Sequence, residues 1–580
     1  MNRTRTIFFV IIAIVLGGVW LLSDSLVEPP QQQASKPVPK AQPAMPADSI
    51  ELSIASSSTK QAWMEAVAAN FANSGQTTRS GKKIVVRVNP VSSGGSTKAI
   101  LEGRLKPTVW SPGSRSWVSQ LSDSLRQQGQ ATIMSKQCQA SIYTPLGIAM
   151  WRPMAEALGW PDKPIGWKTI VELASDDTGW ARHGHPEWGK FRFGHAHPKY
   201  GNSGLLTMTS FVYGIAGKGD ITPRQAYTPA VKNALKTLAQ NTSKYGVVTE
   251  DLVKLMVNEG PRYLHAIATY EAEAVNMNLK YTKQLRFPVA FIFPAEGAFW
   301  GDHPYCVLDQ ANWVSPEQAE AAQLFYDFMN SGEQQKLAID KRLRPLDTNI
   351  ALHAPLDLEH GTNPAVTPET VAPLPEPSGE MGQAVIDVFL QTKRKASVIM
   401  ALDVSGSMNG EKIRSATEAS AKFLKRLHPD DRIGVLTFNT DVTTLQAPAR
   451  VADNVEQLAN TVQNLLVNGN TALHKAVCQA TAMLQQQRKR DQKTGDSRLY
   501  GVILLSDGDD TVGQPSENEM FATCLPAHAE ADGVKIYPIA FGEGANQTVL
   551  QRIAQVSGGK MFAASPQSLE KIYLKISAEQ

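Results

Sequence analysis

The 580-residue sequence is poor in cysteine, with four, and in aromatic residues, at 7%, and its formal net charge is only +3. Each scarcity removes a class of function. There is no basic field of the kind that grips phosphate backbones, so nucleic acid is not an expected partner. No CxxC pair or Cys/His spacing suggests zinc. Residues 390–580 hold no GxxxxGK phosphate loop, and no Ser/His/Asp set stands in a recognisable arrangement, so an enzyme is not expected. Long apolar runs are scarce too, with one near the start and none of that length afterwards. What is there is a globular balance of 42% hydrophobic and 19% charged residues, long enough for three or four ordinary domains.

The apolar run, Ile7 to about Leu22, follows Arg3 and Arg5. Residues 1–26 are therefore expected to form an uncleaved signal anchor, a single-pass transmembrane helix in the cytoplasmic (inner) membrane, with the bulk of the chain on the periplasmic or extracellular side. A cleaved signal peptide is the alternative. Residues 27–49, rich in Pro, Gln, Ala and Lys, read as a linker. A second Pro-rich tract, residues 356–389, reads as an inter-domain segment between a domain at 50–355 and another at 390–580. The cysteines divide the same way, which in an exported chain suggests one disulfide per half, Cys138–Cys306 and Cys478–Cys524, with buried thiols as the alternative.

In the C-terminal part "ASVIMAL", "RIGVLTF", "LYGVILLS" and "VKIYPIAF" are near-continuous apolar runs separated by helical patterns, as in a doubly wound parallel sheet covered on both faces. Such sheets place their sites at the carboxyl ends of the strands. There lie Asp403, Ser405 and Ser407, then Asn470 and Thr471 at a helix start, then Asp507. Carboxylates and hydroxyls without imidazole or thiolate suit a hard cation. The neighbouring Asp509 and Asp510 read as solvated loop acids, and His474, within an apolar helix pattern, as structural. "DVSGS" (403–407), "NTAL" (470–473) and "SDGDD" (506–510) resemble the three parts of the metal-ion-dependent adhesion site of von Willebrand factor A (VWA) domains. The resemblance implies Asp403, Ser405, Ser407, Thr471 and Asp507 as ligands of a divalent cation, Mg2+ first and Ca2+ or Mn2+ as alternatives. It also implies a protein partner that supplies an acidic side chain. One departure is Asn470, where the family usually has glycine.

The segment from residue 50 to 355 repeats a strand, a serine cluster and a helix. Helix N-termini with serine hydroxyls suit an anion or a polar group, although each serine alone is equally well an N-cap. "ASSSTKQAW", "NPVSSGGSTKAI", "PTVWSPGSRSW" and "HPKYGNSGLLTM" resemble type II periplasmic solute-binding proteins, two α/β lobes that close over a ligand. The ligand contacts this implies are Ser57, Ser58, Ser93, Ser111, Asn202, Ser203 and Tyr270. The absence of basic residues at these places fits a dehydrated oxyanion or a neutral polar solute. His183, His185, His195 and His197 form two HxH pairs that would suit copper, zinc or nickel; a structural or gating role is preferred.

The expected fold class is α/β, a two-lobed type II solute-binding fold followed by a doubly wound VWA domain, with an N-terminal transmembrane helix. The expected function is non-enzymatic binding, the VWA domain docking a protein partner and the cleft taking a small solute. The alternatives are the substrate receptor of an ABC-type uptake system and an assembly factor for an envelope or metal-containing complex.

Overall fold

The computed structural model describes residues 48–199, 202–217, 221–246, 249–496, 498–525, 533–542 and 544–579. The proposed anchor and the linker up to residue 47 lie outside them. Among the described residues no helix is long and apolar enough to cross a membrane.

The strands form three sheets. β1 (Ser49–Ser56), β2 (Lys83–Pro90) and β3 (Val109–Ser111) begin the first, and β4 (Leu146–Trp151), β5 (Phe193–Ala196), β6 (Thr242–Gly246), β7 (Ala266–Tyr270) and β8 (Val289–Ile292) form the second. β9 (Cys306–Val307) returns to the first sheet, giving the order β2-β1-β3-β9. The third contains β10 (Lys395–Asp403), β11 (Arg432–Phe438), β12 (Val442–Arg450), β13 (Arg498–Ser506), β14 (Val534–Phe541) and β15 (Phe562–Ala564).

The chain divides into two compact units. One comprises residues up to Thr144 together with Gly301–Ala354, and the other comprises Pro145–Trp300 together with Pro355–Gln580. In the first, β1 pairs in parallel with β2 and β3, and β9 closes the edge antiparallel to β3. Its core gathers Leu52, Ile54, Trp63, Phe71 and Phe325, with Phe71 edge-on to Phe325 at 5.2 Å. Cys138 and Cys306 are bonded within it.

The second unit holds two sheets. The smaller runs β6-β5-β7-β4-β8, and the larger runs β12-β11-β10-β13-β14-β15 and is parallel except for the hairpin strand β12. Successive side chains of a strand point to opposite faces, so a sheet covered on both sides needs apolar residues at every position. Val398, Met400 and Leu402 enter one core layer with Phe423, Ile503 and Tyr573; Ile399 and Ala401 enter the other with Leu473, Val502 and Leu550. Cys478 and Cys524 are bonded beside that second layer. Strand order reverses between β10 and β13, which brings the ends of those two strands side by side.

The tract read as an inter-domain segment is not a free connection. Residues 361–374 are pinned by backbone bonds such as Phe291 N–H to Gly361 O, Ala298 N–H to Ala372 O and Leu374 N–H to Ala298 O. Residues Gly379–Thr392 form a helix capped by Ser378, which buries Met381, Val385, Val388 and Phe389. Pro-rich composition upstream hides an ordinary amphipathic repeat, "MGQAVIDVFL".

Candidate functional site

Asp403 ends β10 and is fully buried. Its Oδ1 accepts the Ser405 backbone N–H at 2.9 Å and its Oδ2 the Ser506 hydroxyl at 2.7 Å. The Ser405 and Ser407 hydroxyl oxygens are 3.0 Å apart, and Ser407 donates to Asp507 Oδ1 at 2.8 Å. Asp507 follows the end of β13, and the Lys412 ammonium lies 2.5 Å from its Oδ2 and 3.4 Å from the Ser407 carbonyl. Burial, with the Asp507 charge as a smaller cause, pushes the Asp403 carboxyl up, against the hydrogen bonds from Ser405 and Ser506.

The loop carrying Thr471 is tied to both strand ends. Asn468 N–H donates to Val404 O, Gly406 N–H to Gly469 O, Thr471 N–H to Thr511 Oγ1, and Thr511 N–H to Thr471 O. The left-handed turn falls at Gly469, φ 73°, where a Cβ would stand 2.5 Å from Thr440 Oγ1. Asn470 therefore needs no left-handed backbone, and its replacement of the usual glycine costs the loop nothing of that kind. Two buried carboxylates and an array of hydroxyls fit an oxygen-bound hard cation, and Asp507 already draws a cationic group, Lys412. Asp509 is exposed, as expected, but Asp510 corrects the reading of a solvated acid. Its carboxylate accepts N–H groups of His474, Val512 and Gly513, and so caps the helix Leu473–Thr494 and the following turn. The His474 ring nitrogen Nδ1 pairs with Pro515 O at 3.0 Å.

In the first unit, Ser57, Ser93 and His303 surround Gly113. A Cβ there would lie 3.5 Å from Ser93 Oγ, 3.9 Å from Ser57 Oγ and 4.0 Å from His303 Cε1. Gly113 N–H donates to Ser93 Oγ, and Ser57 N–H to Ser111 O. The Ser57 hydroxyl is buried with no protein partner. Ser58 is exposed, and the Ser111 hydroxyl is taken by Pro304 O. The expectation of a place without basic residues is corrected by Lys60. Fully buried, it donates to Ser111 O at 2.9 Å and lies 3.2 Å from His303 Nδ1, while His303 Nε2 lies 2.8 Å from Thr144 Oγ1. Burial pulls Lys60 down to about 7, against the attraction of Asp302, and burial and Lys60 hold His303 well below the usual histidine range.

Residues 52–341, half of the chain, match the family model described as bacterial extracellular solute-binding protein. The chain belongs to that family. Residues 397–574 match the von Willebrand factor type A domain. Over this part the chain is 29% identical to inter-alpha-trypsin inhibitor heavy chain H4 of Sus scrofa, across 28% of this chain and 17% of the relative. It thus spans less than a fifth of the length of that relative and of its human counterpart. Similar solved structures include the sulfate-binding protein SubI of Mycobacterium tuberculosis, at 14% identity, TM-score 0.34, and 51% and 87% coverage of this chain and that one. Another is proximal thread matrix protein 1 of the mussel byssus with a zinc-occupied MIDAS motif, at 17% identity, TM-score 0.25, and 34% and 51% coverage.

Within the solute-binding region the expected contacts divide between the units. Ser57, Ser58, Ser93 and Ser111 lie on the first; Asn202 and Ser203, which open the helix Asn202–Ala216, and Tyr270, which ends β7, lie on the second. Burial pushes the Tyr270 phenol up to about 12. The HxH pairs lie in aromatic surroundings. His195 and His197 pack against Tyr245 at 5.0 and 6.2 Å and against Phe389 at 5.7 and 5.1 Å, and His185 stacks on Trp188 at 3.8 Å. Burial holds His195 down to about 4, and among the described residues no group of three or more His, Cys, Asp or Glu is placed to hold a metal. Sequence reasoning passed over Lys60, His303 and Lys412. Only Lys60, three residues after Ser57 in "SSSTK", carried a local signal.

Proposed function

We propose that this chain is a membrane-anchored, extracytoplasmic, non-enzymatic binding protein whose VWA domain docks a protein partner through a divalent ion. Asp403, Ser405, Ser407, Thr471 and Asp507 would hold the ion, most naturally Mg2+, with Ca2+ or Mn2+ as alternatives. The ion would supply an open coordination position for a carboxylate on the partner. The observation that carries this reading is the connected set Asp403–Ser405–Ser407–Asp507, which joins two buried carboxylates from adjacent strand ends through the Ser405 backbone N–H and the Ser405 and Ser407 hydroxyls. Titrating Mn2+ into the full chain tests it: one saturating site is expected in the wild type and none in Asp403→Ala, and an isotherm unaffected by the substitution counts against it.

A second reading, the substrate receptor of an ABC-type uptake system, draws on Ser57. A buried hydroxyl with no protein partner beside Ser93 and Gly113 is a group that a bound polar solute would satisfy. Native mass spectrometry of the purified chain tests this reading. A co-purified small solute that is lost in Ser57→Ala supports it, and a bare wild-type mass opposes it.

A further inference from the structure

Lys412 stands second in the helix Glu411–Leu424, nine residues after Asp403, and belongs to none of the motif segments. Its aliphatic stem passes Gly542, where an added Cβ would lie 3.5 Å from Lys412 Cε. That glycine, φ 84° at the end of β14, leaves room for the side chain to lie down towards Asp507. The Asp507 side chain has no solvent exposure, whereas that of Lys412 is 35% exposed. Both oxygens of Asp507 are therefore occupied by the chain's own donors, Oδ1 by the Ser407 hydroxyl and Oδ2 by the Lys412 ammonium.

We propose that Lys412 is a resident counter-cation that competes with the divalent ion for Asp507 and so sets how tightly the VWA domain takes up its ion. This inference rests on the ion site proposed above and deepens it. A buried carboxylate without a cation is costly, so the ammonium stabilises the ion-free state. An ion bound through Oδ2 of Asp507 would need Lys412 to yield that oxygen or to share it, and one bound through Oδ1 would still meet the ammonium's repulsion; either loss is subtracted from ion affinity. The exposed side of the lysine gives it somewhere to go, because its stem can swing towards water while the carboxylate stays fixed. Competition for one oxygen is thus built into the site and costs no change of fold.

The test uses the full chain as wild type, Lys412→Met, Lys412→Arg and Asp403→Ala, with Mn2+ as the probe in calorimetric titration and thermal melting. Lys412→Met should bind Mn2+ roughly 10- to 100-fold more tightly than the wild type. Lys412→Arg, which keeps the charge, should stay near the wild type. Melting supplies an independent reading: ion-free Lys412→Met should melt below the wild type, and its rise in Tm on adding Mn2+ should be larger. Equal or weaker Mn2+ binding by Lys412→Met overturns the inference and leaves the ion site standing if Asp403→Ala abolishes binding. Absence of Mn2+ binding in both wild type and Lys412→Met overturns the ion site and the inference together.

Discussion

At the scale of single residues, the chain places charge where desolvation is expensive and then holds it. Lys60 is the clearest case: its ammonium is fully buried, donates to the Ser111 and Pro112 carbonyls and faces His303, with Asp302 as the nearby opposite charge. The folded chain lowers Lys60 from 10.5 to about 7, so between those values the unfolded chain holds more protons and stability rises with pH. The cost of burying this charge is full below pH 7 and fades towards pH 10.5. Wild type should therefore gain on Lys60→Met by up to about 5 kcal/mol over that window, read from thermal or urea unfolding at several pH values. A difference between the two proteins that does not change with pH would remove Lys60 as a buried, titrating charge. The aspartates and serines at 403–407 and 507 were legible in the sequence because a strand end followed by oxygen-bearing residues is a local pattern. Lys60 with His303, 243 residues apart, and Lys412 with Asp507, 95 apart, were not, because only the folded chain brings those partners together.

At the scale of elements, the four long apolar runs of the C-terminal part were readable as strands for one physical reason. A strand between two helical layers must be apolar at every position, and Val398 to Leu402 alternate between two cores without a polar residue. The helix Gly379–Thr392 was missed because the prolines before it set the composition of the whole tract. Its period is plain once Ser378 is recognised as the cap. Phe389 on that helix is 2% exposed and stands edge-on to His195, His197 and Tyr245. Phe389→Ala should destabilise the second unit by about 3–5 kcal/mol in equilibrium unfolding. A loss below about 1 kcal/mol would mean that the helix lies on the surface without carrying it.

At the scale of the molecule, the VWA domain and the β4–β8 sheet region belong to one compact unit. Several contacts join them. The Lys535 ammonium lies 5.2 Å from the Tyr263 ring centre and the Lys244 ammonium 5.1 Å from that of Tyr537, Tyr263 donates to Gly558 O, and Lys560 pairs with Asp251 at 2.8 Å. The sequence offered only the adjacency of two modules. The contacts that join them come from residues about 270–310 positions apart and have no local signature. Both modules were identifiable from their motifs, and the two family models fall on the same parts of the chain. The reading of the whole molecule turns on the cation proposed at the ends of β10 and β13. The most direct measurement is Mn2+ titration of the full chain beside Asp403→Ala and Asp507→Asn, with folding of each variant checked by its melt. One ion per wild-type chain is expected, and none in either folded variant. Wild-type stoichiometry retained in both variants would place the ion elsewhere and contradict that reading.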